Sequence, residues 1–181
     1  GVNFDYVAGA AGLETSSRLN REVIDQVRLL PRVLVDIRQR ELAKTLLGRT
    51  WPLPFGIAPM GMCDLTWPNT DIALAAAAAD HDIPVCLSTF GSSSIEDIGK
   101  RASGNGWFQL YVGPSIDDAM GLVQRAEDAG YEYLLLTVDV PVVSARLREQ
   151  RQGFERPFRM RPRQFLDFAV HPQWVLHTLV N

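Results

Sequence analysis

The sequence has 181 residues, 46% of them hydrophobic and 22% charged, with a formal net charge of −3. That is enough apolar chain for one sizeable core and too little basic charge for a nucleic-acid partner, which needs a cationic field. Cys63 and Cys86 are the two cysteines; without a CxxC pair or a Cys/His cluster they argue against a disulfide framework or a zinc site and read as buried, reduced thiols.

No uncharged apolar run is as long as the roughly 18 residues a membrane-crossing helix needs. The opening Gly-Val-Asn-Phe-Asp-Tyr has neither a basic n-region nor an apolar h-region, and no initiator Met. The expectation is a cytoplasmic chain that begins inside a longer protein or is a processed product. Residues 14–29 read as helical in part, and Pro31-Arg32 breaks that pattern. Val33–Asp36 is a short apolar stretch suited to an edge strand, and the first fifty residues together read as a helical cap.

From residue 55 a rhythm of short apolar strands and amphipathic helices takes over. Phe55–Pro59 is the first strand candidate, bracketed by Pro54 and Pro59. Residues 70–82 form a helix with Asn69 or Thr70 as cap and the Ala75–Ala79 run as packing face. Residues 84–88 are the second strand, followed by a helix capped by Ser93 or Ser94 with Glu96 and Asp97 in its first turn. Residues 107–112 are the third strand. Residues 115–129 are the clearest helix, with Ser115 as cap and Gly130 as terminator. Residues 131–139 are the fourth strand, apolar without alternation at Leu134-Leu135-Leu136.

Strands apolar on both faces and separated by helices imply a parallel α/β sheet. A doubly wound sheet and a (β/α)₈ barrel both fit. Since a whole barrel takes about 250 residues, four units would be half of one.

In either architecture ligands bind where the strands end. Polar or special residues gather there: Pro59-Met60-Gly61, Ser88-Thr89, Gln109 with Tyr111, and Thr137 with Asp139. The i, i+2 spacing puts Gln109 and Tyr111 on one side of their strand and Thr137 and Asp139 on one side of the next. The bland alternative is a hydrogen-bonded layer inside a barrel. Gly104-Asn105-Gly106 lacks a third glycine and precedes a strand, which disfavours a dinucleotide fingerprint. His81, His171 and His177 read as surface or packing residues.

Taken in order, Ala58-Pro59-Met60-Gly61, Leu87-Ser88-Thr89, Trp107-Phe108-Gln109-Leu110-Tyr111-Val112 and Leu136-Thr137-Val138-Asp139-Val140-Pro141 resemble the strand-end signatures of the FMN-dependent 2-hydroxy-acid dehydrogenases and oxidases. Asp5-Tyr6, Asn20, Pro31-Arg32-x-Leu34-x-Asp36 and Gly48 match that family's amino-terminal pattern, and His171-Pro172-x-Trp174 resembles its mandelate and lactate dehydrogenase branch. The resemblance spans about residues 4 to 181 and implies the amino-terminal half of a (β/α)₈ TIM barrel with an N-terminal helical cap, a partial domain over 1–181 truncated at both ends.

The resemblance further implies FMN as cofactor and an L-2-hydroxy acid as substrate, with oxygen, a quinone or a cytochrome as electron acceptor. The backbone of Pro59, Met60 and Gly61 would lie against the flavin, and Ser88, Gln109 and Thr137 would hydrogen-bond its polar edge. Tyr6 and Tyr111 would contact the substrate, Asp139 would orient the catalytic base, and Arg146 would bring a cation to the substrate carboxylate. Two departures stand out: Met60 where the family often has Thr or Val, and Ser144-Ala145-Arg146 in place of Gly-Arg-Arg. The family's flavin-charge lysine, catalytic histidine, second arginine and phosphate loops lie further on, so the isolated chain is expected to be inactive. A homo-oligomer is expected at full length, and a split or non-catalytic half-barrel completed by a partner chain is the alternative.

Between Arg146 and Arg163 stand seven arginines, followed by Phe165, Leu166, Phe168, Trp174, Val175 and Leu176. This excursion reads either as a lid or loop, or as a segment that lies on an anionic membrane face, in line with the branch it resembles.

Overall fold

A computed structural model describes residues 2–139, 145–152, 166 and 168–179. It divides into two compact units, Glu41–Asp139 and Gly1–Arg40 with Val140–Asn181. Val140, Pro141, Ser144, His177's side chain and most of the arginine-rich run lie outside the described residues.

The central unit opens with a hairpin of β1 (Lys44–Leu46) and β2 (Arg49–Trp51), antiparallel with Leu46 opposite Arg49. Its two-residue turn has positive φ at both Leu47 (54°) and Gly48 (83°), as a type I′ hairpin requires. The sequence reading placed no strand here, because neither arm is long enough to show a period. Trp51 is 2% exposed, and the Arg49 guanidinium stacks 4.0 Å over its ring. Arg49 also donates to Gly104 O, Asp82 Oδ1 and Asn105 Oδ1, tying the hairpin to the turns that precede the sheet.

Three strands follow, β3 (Val85–Ser88), β4 (Gly106–Tyr111) and β5 (Tyr133–Thr137), all parallel and in the order β3-β4-β5. The first expected strand, 55–59, is reduced to a single parallel bridge of Ile57 to Val85. Ile57 N donates to Pro84 O at 2.8 Å and Cys86 N to Ile57 O at 2.9 Å. The prolines at 52, 54 and 59 carry no N–H, so a longer ladder has no donors to build on.

Helices α3 (Thr70–Asp80), α4 (Ile95–Ala102) and α5 (Ile116–Asp128) connect these strands. Ser94 Oγ and Ser115 Oγ accept from Asp97 N and Asp118 N, two caps read correctly from the sequence. The α3 cap differs. Asn69 sits at φ 60°, a left-handed geometry, and makes no side-chain cap bond; Asp64 Oδ1 accepts from Thr70 N instead. The helices cover one face of the sheet. Val85, Leu87, Phe108 and Leu110 pack there with Ala75, Ala78, Ile95, Ile98, Ala119 and Ala126. At Gly99 a Cβ would stand 2.6 Å from Ala129 O, so only glycine permits α4 this approach.

The second unit holds α1 (Val2–Ala8), α2 (Thr15–Gln26), α6 (Leu147–Gln152) and α7 (Pro172–Leu179). Val33–Asp36 is not a strand. Leu34 has φ 59°, which breaks the extended run, and Asp36 accepts from both the backbone and the guanidinium of Arg38.

Candidate active site

The sheet face opposite the helices carries Cys86, Ser88, Trp107, Gln109, Tyr111, Tyr133, Leu135 and Thr137, as the register requires. It changes character along its length. Where the strands begin, Trp51, Leu53, Ile57, Cys86, Trp107 and Leu135 line an apolar cavity of about 470 Å³ that contains none of the polar strand-end residues. Where the strands end, the face turns polar.

Gln109 organises that end and is 3% exposed. Its Oε1 accepts from Ser88 Oγ at 3.0 Å and from Thr89 N at 3.2 Å, while its Nε2 donates to Thr137 Oγ1 at 2.8 Å. A backbone N–H can only donate, so the Thr89 contact fixes which way the amide faces. Thr89 Oγ1 donates to Gln109 O at 2.6 Å and accepts from Tyr111 N at 3.0 Å. Ser88 Oγ also accepts from Phe90 N at 3.1 Å. The result is one hydrogen-bonded line across the ends of three strands. One Gln109 Nε2 hydrogen and the Thr137 hydroxyl hydrogen remain to donate outward.

Pro59 and Gly61 are half-buried beside this line, and Met60 is 48% exposed. Met62 N donates to Phe90 O at 2.8 Å, tying the loop after residue 59 to the loop after β3. A Cβ on Gly61 would meet Phe90 Cβ at 3.1 Å, so glycine allows the two loops this close approach. The Phe90 ring lies 5.6 Å from that of Tyr111. Asp139, two residues past β5, is exposed.

Both cysteines are buried and free. Burial first, and then the charge of Asp71, pushes the Cys63 thiol up to about 12; burial alone takes Cys86 to about 12. Neither is a nucleophile near neutral pH. His81 caps the end of α3, just ahead of β3 and away from the polar strand ends.

In the second unit Arg146 and Tyr6 come together. Arg146 Nη2 donates to Tyr6 O at 2.6 Å and Gly9 O at 2.9 Å, and its guanidinium stands 5.0 Å over the Tyr6 ring. Those carbonyls lie at the C-terminal end of α1, where a cation also suits the helix dipole. Gly12 N donates to Ala145 O at 2.8 Å, and Arg148 pairs with Glu14 at 3.1 Å.

Thr89, Phe90 and Asp71 hold this end of the sheet together, yet sequence reasoning assigned them no role. Thr89 was visible as a polar residue at a strand end. Asp71 looked like any acid in a helix first turn, and only its 7% exposure reveals it.

Comparison with known proteins identifies the family. The family model for FMN-dependent dehydrogenases matches residues 1–181. The (S)-mandelate dehydrogenase of Pseudomonas putida is 39% identical over 173 residues, covering 96% of this chain and 44% of that protein. The 4-hydroxymandelate oxidase of Amycolatopsis orientalis is 39% identical over 157 residues, covering 87% of this chain and 44% of that protein. The L-lactate oxidase of a Nostoc species is 39% identical, covering 85% and 43%. The crystal structure of (S)-mandelate dehydrogenase, described as a monotopic membrane protein, superposes with TM-score 0.92 at 38% identity over 99% of this chain and 48% of that one. A mandelate oxidase variant solved with a C4a-OH-FMN adduct superposes with TM-score 0.79 at 36% identity, over 90% and 48%.

The chain thus spans less than half the length of these relatives, and its parallel strands are the amino-terminal half of a (β/α)₈ barrel. Among the described residues no helix is long and apolar enough to cross a membrane. On the ordered strand-end motifs, the whole-chain family match and these relatives, the chain belongs to the FMN-dependent dehydrogenase family.

Proposed function

We propose that residues 1–181 are the first half of a catalytic domain that oxidises an L-2-hydroxy acid, lactate- or mandelate-like, to the 2-oxo acid with FMN. The observation that carries this reading is the Ser88–Gln109–Thr137 line at the carboxyl ends of β3, β4 and β5. The polar edge of a flavin ring presents carbonyl acceptors, and this line ends in an amide hydrogen and a hydroxyl hydrogen, so the donor set fits the group. Bound there, FMN supplies the two-electron chemistry that no side chain can.

The chain's own residues then orient and polarise. The backbone at Pro59, Met60 and Gly61 forms the wall on which the flavin ring rests. The Tyr111 hydroxyl, its ring braced by Phe90, donates to the substrate's oxygen. Tyr6 and Arg146 bind the carboxylate, Arg146 also fixing the α1 end that carries Tyr6. Asp139 orients the base and stabilises it once it is cationic. The resemblance to the family puts the base in the remaining half of the barrel, so residues 1–181 alone are not expected to turn over. Oxygen, a quinone or a cytochrome would be the electron acceptor.

The arginine-rich and apolar residues from 146 to 181 are proposed to hold the enzyme peripherally at the inner membrane face. The monotopic relative and exposed Leu166, Val170 and Leu176 support this reading. A homo-oligomer is proposed on family grounds alone. Deleting residues 153–181 should release the holoenzyme from anionic liposomes, and unchanged co-sedimentation would remove the membrane reading.

The activity is tested by mixing the FMN-loaded holoenzyme anaerobically with L-mandelate or L-lactate. Bleaching of the flavin's visible absorbance is expected with at least one of them. A flavin that stays oxidised with every L-2-hydroxy acid tried would contradict the assignment.

A further inference from the structure

Asp71 stands at the meeting point of the two loops that border the strand-end line. It lies in the first turn of α3 and is 7% exposed. One of its oxygens, Oδ2, accepts from Ser92 N at 2.6 Å and from Ser93 N at 3.2 Å, fixing the loop that follows β3. Cys63 lines the same small pocket as Asp71, and its thiol donates to Met60 O at 3.6 Å. A second tie runs in parallel: Asp64 N donates to Ser92 Oγ at 3.1 Å, and Asp64 Oδ1 accepts from Thr70 N at 3.1 Å, at the start of the helix that carries Asp71.

The Met62 N to Phe90 O bond closes the ring. Residues 60–64 and 90–93 are thereby fastened to each other and to α3 around one buried carboxylate. A buried charge is expensive unless hydrogen-bonded, and an oxygen that accepts two backbone N–H groups is a strong, directional anchor. Neither loop belongs to a strand or long helix, so their spacing rests on these few ties and not on a strand ladder.

We propose that Asp71 is a positioning residue for the flavin-facing backbone, setting the place of the Met60 and Gly61 amides through the 90–93 loop and Cys63. This rests on the proposed function only in taking residues 59–61 to face FMN. Without the carboxylate, Ser92 N and Ser93 N lose their acceptor, the 90–93 loop opens, and the 60–62 backbone loses its partner at Phe90 O. The reacting atoms stay where they are, and the wall behind the flavin loosens.

The test compares wild-type holoenzyme with Asp71→Ala, Asp71→Asn and Asp71→Glu by backbone amide exchange and by the affinity of the bound flavin for sulfite, which reports how electron-poor the ring is held. Asp71→Ala should raise exchange at least tenfold at residues 60–64 and 90–93, leave β3 to β5 unchanged, and weaken sulfite binding at least tenfold. Asp71→Glu should restore part of both. If the alanine variant fails to fold, Asp71→Asn carries the test, since its neutral amide oxygen holds Ser92 N and Ser93 N less strongly than a carboxylate and should raise loop exchange and weaken sulfite binding with the strands still protected. Loop exchange and sulfite affinity both unchanged would overturn the proposal. The underlying reading fails separately, if FMN protects no amide in 59–62 of the wild type; loop exchange in the FMN-free variants still decides Asp71's part.

Discussion

The two faces of the β3–β5 sheet are built from the same strands and do opposite things. On the helix side every β3 and β4 residue is apolar and nearly fully buried, Phe108 at 1% and Leu110 at 4%. On the other face Ser88, Gln109 and Thr137 interrupt the apolar pattern and hydrogen-bond to one another. The first face gains stability by excluding water from apolar area. The second holds the Ser88, Gln109 and Thr137 side chains, which is tolerable because they hydrogen-bond to one another. Stability and chemistry are therefore separable by face, one residue apart along a strand.

The largest break in that division should come from Phe108→Ala. It leaves a cavity among Ile98, Tyr131 and their neighbours and should cost about 3–5 kcal/mol by chemical denaturation. The FMN affinity of the fraction that stays folded should not move, because the polar line lies on the other face. Next comes Gln109→Leu, similar in size but without partners for Ser88 Oγ, Thr89 N or Thr137. It should cost about 1–3 kcal/mol for the groups left unpaired, and weaken FMN binding as well. Equal effects of both variants on FMN affinity would show that the faces are not separable.

Arg146→Lys sharpens the comparison at the substrate end. Lysine keeps the charge but lacks the planar guanidinium that stands over the Tyr6 ring while its Nη2 reaches both Tyr6 O and Gly9 O. The expected loss is about tenfold in kcat/KM for the holoenzyme, on the ordinary scale of one charge-assisted bond. The smallest effect belongs to Glu96 and Arg125, paired at 2.8 Å on the outer surface. The Arg125 hydrogen bond holds the Glu96 carboxyl below its usual 4.5, at about 2. A depressed acid stabilises the fold above its unfolded pKa and loses that contribution as pH falls through the folded value. Wild type and Arg125→Ala should differ slightly above pH 4.5 and converge as pH drops toward 2. A pair this exposed leaves little to lose, which is why the effect ranks last.

Strand and helix order from residue 70 to residue 137 was legible because each unit is a short apolar run followed by a capped helix, and Ser94 and Ser115 cap where their spacing says. Legibility failed where local chemistry yields to context. The run at 55–59 looks like a strand by hydrophobicity, but its flanking prolines leave one bridge. Leu34 has an apolar side chain and a left-handed backbone, so composition misleads there. The β1–β2 hairpin depends on two positive φ values, one of them at a leucine, which no residue preference announces. In the site, i, i+2 spacing put Gln109 and Tyr111 on one face of β4, whereas Asp139 lies past the end of β5 and is exposed. Spacing could not show that Gln109 joins three strands, because that bond runs across the sheet. Asp71 was invisible for the same reason: its partners are 21 and 22 residues away.

The most direct test of the account is a fluorescence titration of the FMN-free full-length enzyme with FMN, wild type against Gln109→Leu. The strand-end line predicts binding at least tenfold weaker in the variant, with the folded fraction checked in the same samples. Equal affinity would mean that the Ser88–Gln109–Thr137 line is only a packing layer, and that the flavin edge is held elsewhere.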